Sequence, residues 1–333
     1  MDLGLATVEG MSVTQDQGSV VGTLRYMAPE QLVLSETEVD RRSDVYALGA
    51  SLYELATGAP VHDGDNQAQV IQQILNDPSQ LRLGGERREL TILFSDLQGF
   101  SSISERLAPE ALTALLNDYL TDMTDIILEE RGTLDKYEGD AILAFWNAPL
   151  EQPDHAERAC RAAVRCQREL ARKQELWRLH AGRDLAMRVG LHTGPVVVGN
   201  MGSRQRFDYT ILGDAANLAS RLEGANKLFG TGILASEQTV RAAGDAVLAR
   251  TLGRVVVKGR REPVDVHELG GLAGDDEPAS WAVYLEALEL CRAGQLPAAQ
   301  RLLAGLETDP AARALAARMA ADPSFRGLFS PAT

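Results

Sequence analysis

The sequence predicts an α+β fold in which antiparallel strand pairs are interleaved with helices. Three observations predict it. First, short apolar runs are bounded by turn signals: Thr91–Phe94, then Thr133–Tyr137 and Ala141–Trp146 around Glu138-Gly139-Asp140, then Tyr209–Leu212. Second, long stretches carry apolar residues at three-to-four spacing, over Pro109–Glu130 and Asp154–Leu179. Third, the strands come as hairpins, which argues against a doubly wound parallel sheet.

Residues 1–82 hold mixed turns and two helical stretches. One covers Ser43–Thr57 and stops at Gly58; the other covers Asn66–Asn76 and ends at Asp77-Pro78. A charged linker, 83–88, leads into the main domain, 89–270. There the Thr91–Phe94 strand precedes a helix that opens on Pro109 and Glu110, as a helix N-terminus favours. Met187–His192 and Val196–Asn200 are expected to form a hairpin about Thr193-Gly194-Pro195. Tyr209–Leu212 turns at Gly213 into a helix over Ala215–Lys227, and Val255–Lys258 pairs with Val264–His267. A Gly/acidic linker, 271–279, precedes a helical tail, 280–333. Its Ala/Leu-rich helices, near Trp281–Ala293, Pro297–Leu306 and Ala311–Ala321, resemble one tetratricopeptide-like unit, too few for a solenoid. The tail is expected to dock a protein partner.

The 333 residues carry a net charge of −14, which argues against a nucleic-acid binder and against a polybasic membrane-surface protein. No apolar run reaches membrane-spanning length, and the acidic start is not a signal peptide. Cys160, Cys166 and Cys291 lack metal-ligand spacing, and so sparse a set suits a reducing cytoplasm. His192, in a strand-like run, reads as structural.

Two carboxylates stand out. Asp96 ends an apolar strand, and Asp140 sits at a hairpin tip. Side-by-side strands would bring them together, where they repel unless a cation lies between. Mg²⁺ takes few carboxylates plus water and phosphate oxygens, and two such ions can clamp both oxygens of a phosphoryl transfer. Each Asp taken alone is an ordinary turn residue; the surrounding motifs change that.

Those motifs are ILFSDLQGF, LDKYEGDAILAF and YTILGDAANLASRLEG, in that order. They resemble the class III adenylate and guanylate cyclase catalytic domain over about Glu89 to Leu269. The resemblance implies a ferredoxin-like βαββαβ core with extra hairpins. It implies that Asp96 and Asp140, helped by the Leu97 carbonyl, bind two divalent cations, Mg²⁺ or Mn²⁺. Lys136 matches the base-reading lysine. Its ammonium can donate to N1 of adenine, whereas guanine presents a donor there. Thr210 matches the second base-reading position, in the branch that includes bicarbonate-responsive cyclases. Asn217 and Arg221 lie four apart and share a helix face; they match the residues that orient the ribose and stabilise the reacting phosphate. Asn is a weak helix former, so a plain surface face explains it poorly. Lys258, in VVVKGRREP, matches a lysine reaching the triphosphate, though Arg260 and Arg261 stand close by.

The implied function is adenylate cyclase in bacterial intracellular signalling, making cyclic AMP and pyrophosphate from ATP. In the family the metal aspartates come from one subunit and the other residues from its partner, so a head-to-tail homodimer is expected. A non-catalytic dimerisation module is the alternative, and the complete residue set argues against it.

Residues 1–82 resemble the later part of a Ser/Thr protein kinase. Asp2-Leu3-Gly4 is similar to its metal-binding DFG element, Ala28-Pro29-Glu30 to its A-P-E signature, and Asp44 to the buried aspartate of its central helix. The Gly-rich loop, strand lysine and H-R-D loop are absent from this sequence, so kinase activity is not expected of it, and a remnant of a larger kinase–cyclase fusion is the further alternative.

Overall fold

The computed structural model describes residues 24–32, 41–62, 67–75, 84–203, 206–260 and 262–330. Asp2-Leu3-Gly4 and Arg261 lie outside them. The chain divides into two compact units, one of Met1–Glu86 with Gly199–Thr210, the other of Arg87–Val198 with Ile211–Thr333.

In the first unit, α1 (Pro29–Leu32) packs against α3 (Gln67–Leu75), with Leu32, Val70 and Ile74 buried. Between them in the sequence comes α2 (Arg41–Thr57). Tyr46 Oη meets His62 Nε2 at 2.7 Å, and Tyr26 Oη donates to Glu54. Asp44 was expected to be buried. It is exposed instead, as are Val45, Leu48, Leu52 and Leu55 along the same helix. The described residues of this unit bring no apolar layer over that stripe.

The second unit is built on a mixed sheet ordered β2-β3-β1-β4-β6-β8-β7-β9. Its strands are β1 (Gly84–Leu97), β2 (Thr133–Glu138), β3 (Ala141–Trp146), β4 (Met187–Ser203), β6 (Ile233–Ser236), β7 (Val247–Val255), β8 (Val264–Leu272) and β9 (Leu328–Phe329); β5 (Arg206–Leu212), whose residues as far as Thr210 are counted with the first unit, pairs with β4 off this path. Antiparallel pairing joins β1 to β3 and β2 to β3; β4 and β6 run parallel. This is the mixed α+β arrangement that the hairpins predict.

Strand alternation gives the sheet two buried faces. Leu93, Leu97, Val189, Leu191 and Ile233 face one core, which α5 (Pro109–Glu129) and α6 (His155–Arg172) cover with Leu115, Tyr119, Met123, Cys160 and Leu170, and to which the short α4 (Phe100–Ser104) adds Ile103 and α9 (Glu237–Ala243) adds Ala243. Leu234, Leu252 and Val266 face the other, covered by α8 (Asp214–Phe229), α10 (Ser280–Arg292), α11 (Leu296–Leu303) and α12 (Pro310–Ala321). Asp96 and Arg188 alternate with residues of the first core, so both project to the α8 face.

Several expectations are corrected. Thr193-Gly194-Pro195 does not turn; β4 passes straight through it. Gly194 serves close packing instead, since an added Cβ would lie 3.2 Å from Ala215 Cβ. The helix expected over 154–179 is broken at Lys173, with α7 (Gln174–Ala181) following. The stretches expected as linkers are partly strand: β1 starts at Gly84 and β8 ends at Leu272. The C-terminal helices bury their apolar faces against the sheet, and Tyr284 Oη donates to the Leu252 carbonyl at 2.8 Å. Arg250 clasps them: it pairs with Glu268 and, through both terminal nitrogens, with Asp309, the residue that caps α12.

Candidate active site

The corner between β1 and the β2–β3 turn brings the two aspartates together. Gly139, with φ +67, takes the left-handed conformation that this tight turn requires. Asp140 then faces the end of β1, where Oδ2 accepts from the Leu97 N–H at 3.0 Å. Burial, and after it the charge of Asp96, pushes the Asp140 carboxyl up to about 6.

Asp96 has a cationic neighbour that sequence reasoning missed. Arg188 on β4 donates from Nη2 to Asp96 Oδ2 at 3.2 Å and from Nε to Glu223 Oε1 at 2.8 Å. The Arg188 side chain is only 11% exposed, that of Glu223 16% and that of Asp96 37%. Burial raises the Glu223 carboxyl above its ordinary range, against the pull of Arg188. An arginine inside the apolar run Met187–Leu191 was the available signal, because a buried guanidinium needs a carboxylate.

Helix α8 carries Asn217 and Arg221. It sits close to β4 because Gly190 has no side chain: an added Cβ would come within 3.0 Å of Ala219 O and Glu223 N. Asn226, fully buried, clamps the far end by donating to Val189 O at 2.9 Å, and it accepts from Thr231 Oγ1 at 2.8 Å. Asn217 is exposed and Arg221 half-buried. Arg221 Nη1 is buried with no hydrogen-bond partner among the described residues, 3.9 Å from Asp214 Oδ1.

The turn after β7 approaches the same helix. Gly259, with φ +79, lies against the Arg221 guanidinium. Lys258 is exposed on this turn, and Arg260 Nη2 donates to Asp214 Oδ2 at 2.6 Å. Arg221, Lys258 and Arg260 therefore gather a positive patch beside a single acid in the first turn of α8.

Lys136 stands on β2, where the register shifts between Leu134 and Lys136. The irregularity puts Lys136 Nζ 3.3 Å from Oδ1 of Asp135, although regular strand neighbours point to opposite faces. Asp135 is fully buried at its side chain while Lys136 is 40% exposed, so the acid anchors and the ammonium projects. Sequence reading missed Asp135. Thr210 lies half-buried on β5, in the first unit. His192 is buried, with Nδ1 2.8 Å from Ser236 Oγ, and burial holds it down to about 4.

Does the corner suit a metal? Among the described residues no group of three or more His, Cys, Asp and Glu could hold one. Asp96 and Asp140 offer a pair of oxygen donors whose mutual repulsion a cation would relieve. That donor set fits a hard divalent ion which keeps water and phosphate oxygens in its shell, as Mg²⁺ does.

The chain belongs to the adenylate and guanylate cyclase catalytic domain family, whose model matches residues 85–270. A protein kinase domain model also matches, over residues 1–126. Adenylate cyclase 1 of Rhizobium meliloti (strain 1021) is 39% identical over 186 residues, covering 56% of this chain and 28% of that protein. An adenylate cyclase of Anabaena cylindrica is 35% identical over 189 residues, covering 55% and 37%. The matches thus span well under half the length of either relative. Among solved structures, the adenylyl cyclase CyaB from P. aeruginosa superposes with a TM-score of 0.53 at 36% identity, covering 59% of this chain and 98% of that one. The guanylyl cyclase Cya2 gives 0.53 at 40%, with the same coverage. No helix among the described residues is long and apolar enough to cross a membrane.

Proposed function

We propose that this chain is an adenylate cyclase, converting ATP to 3′,5′-cyclic AMP and pyrophosphate at sites shared between two copies arranged head to tail. The observation that carries the reading is the Asp96–Asp140 corner, with Asp140 fixed by the Leu97 N–H. Asp96, Asp140 and the Leu97 carbonyl would hold the divalent cations. When bound, those ions neutralise the triphosphate and make the ribose 3′-hydroxyl more acidic.

The chain's own residues do the rest. Lys136, steadied by Asp135, donates to adenine N1, and Thr210 accepts from the adenine amino group. Asn217 orients the ribose so that the 3′-oxygen stands in line with the α-phosphorus. The 3′-hydroxyl gives up its proton to water, the new P–O bond forms, and the bond from the α-phosphorus to pyrophosphate breaks. Arg221 meets the charge that develops on that phosphate, and its buried, unpartnered Nη1 leaves a donor for it. Lys258 reaches the leaving group. Positioning and charge carry the reaction.

The choice of ATP over GTP rests on Lys136 and Thr210, since an adenylyl and a guanylyl cyclase resemble the chain about equally. Residues 1–82 are read as part of a kinase lobe, a reading supported by the kinase match. The test is product formation from ATP and from GTP, by the natural chain and by Lys136→Glu. Cyclic AMP as main product, with adenine preference lost in the variant, supports the reading; cyclic GMP as main product from the natural chain contradicts it. Mixing Asp96→Ala with Asn217→Ala tests the shared site, and a mixture that stays inactive sinks it.

A further inference from the structure

Arg188 divides one edge of its guanidinium between two carboxylates. Nε goes to Glu223 at 2.8 Å and Nη2 to Asp96 at 3.2 Å. A lone carboxylate commonly takes both donors of such an edge. Here Glu223 takes the inner donor with a short bond, and Asp96, the more exposed acid, takes the outer one with a longer bond.

The proposed function sets a conflict at this point. A divalent ion on Asp96 stands beside a guanidinium bonded to the same carboxylate. The two cations repel and compete for one oxygen pair. The competition is mild only if Arg188 has another full negative charge to rest on. Glu223 is that charge, held by the backbone of α8. Gly190 enforces the spacing, since it lets the Glu223 nitrogen approach β4.

We propose that Glu223 is a positioning residue for the metal corner. It anchors Arg188 so that the guanidinium orients Asp96 without displacing the divalent ion. The inference rests on the reading of Asp96 and Asp140 as metal ligands. It adds a role for Glu223, which reaches the reaction only through Arg188.

Glu223→Gln keeps the shape and the acceptor oxygen but removes the charge. Arg188 is then left with Asp96 as its only ionised partner of the two. Mn²⁺ binding to the purified full chain, followed by electron paramagnetic resonance, should weaken by about tenfold, the usual scale for losing a residue that orients a ligand. The Mn²⁺ concentration that half-saturates cyclase activity should rise by a similar factor, while the rate at saturating Mn²⁺ falls far less. The double variant Glu223→Gln/Arg188→Gln should regain Mn²⁺ affinity, because the competing cation is gone. A merely structural Glu223 gives no such recovery.

The outcomes separate cleanly. If natural protein and Asp96→Asn bind Mn²⁺ alike, the metal reading of the corner fails and the inference with it. If Asp96→Asn loses Mn²⁺ but Glu223→Gln binds as tightly as natural protein, only the inference is overturned. Should Glu223→Gln fold poorly, Glu223→Asp keeps the charge. Its Mn²⁺ affinity should stay near that of natural protein, and a tenfold loss there would overturn the proposal.

Discussion

Arg250 and Arg188, both in the larger unit, each stand between two carboxylates, and their surroundings differ. Arg250 is 3% exposed, meets Asp309 through two bonds of 2.6 and 2.8 Å, meets Glu268 through a third, and lies over the rings of Trp281 and Tyr284. Arg188 reaches Asp96 by one longer bond, and Asp96 stays partly open to solvent. The first arrangement satisfies nearly every donor and clasps the C-terminal helices to the sheet. The second leaves a carboxylate partly open to solvent. The same charges thus make a buried fastener in one place and a looser, half-open pair in the other, and the difference lies in burial and in donors left over.

Breaking the fastener should give the largest effect. Arg250→Met leaves Asp309 and Glu268 buried without their cation and should cost about 3–5 kcal/mol, read as a lowered midpoint in urea unfolding. Activity per folded molecule should hardly change. On the open side, Arg221→Ala or Asn217→Ala should lower cyclic nucleotide formation about 10²–10³-fold, as for loss of one transition-state donor. Because Asn217 is exposed, its removal should move stability by no more than about 0.5 kcal/mol in a thermal melt.

A packing change tests how the two sides are joined. Gly190→Ala forces a Cβ into the α8 backbone and should cost about 1–3 kcal/mol. It should also weaken catalysis, since α8 carries Asn217, Arg221 and Glu223. Full activity in that variant would mean that the seating of α8 on β4 does not set the site.

The smallest effect is electrostatic. The folded chain raises the Asp140 carboxyl from 3.8 to about 6, so it binds that proton more tightly than the unfolded chain does. The stability linked to this group is fully present below 3.8 and is lost as pH rises through about 6. With a chelator present, natural protein should therefore lose about 1–2 kcal/mol from this source by neutral pH, a figure reduced for the group's partial exposure. Asp140→Asn should lack that slope in unfolding curves taken across the range.

The strands of the first hairpin and the amphipathic α5 were legible in the sequence because each is local, a turn residue or a period, whereas Asp96 and Asp140 stood out only through the motifs around them. What escaped was set by contacts between distant segments. Gly194 and Pro195 look like a turn, yet Gly194 is there because α8 comes close. Arg188, Glu223 and Asp135 act through partners or a register shift that no local pattern announces. The tail looked separate, since nothing in its Ala/Leu spacing says that Asp309 meets Arg250. Asp44 is the opposite case: a motif suggested burial that the described surroundings do not provide.

One experiment tests the contrast most directly. Asp96→Asn and Arg250→Met would be compared with natural protein for both cyclic AMP formation and melting temperature. The account predicts that Asp96→Asn loses activity at least about a hundredfold with its melting temperature kept, while Arg250→Met melts far lower yet stays active where folded. Activity retained in Asp96→Asn, or lost only in step with its stability, would contradict it.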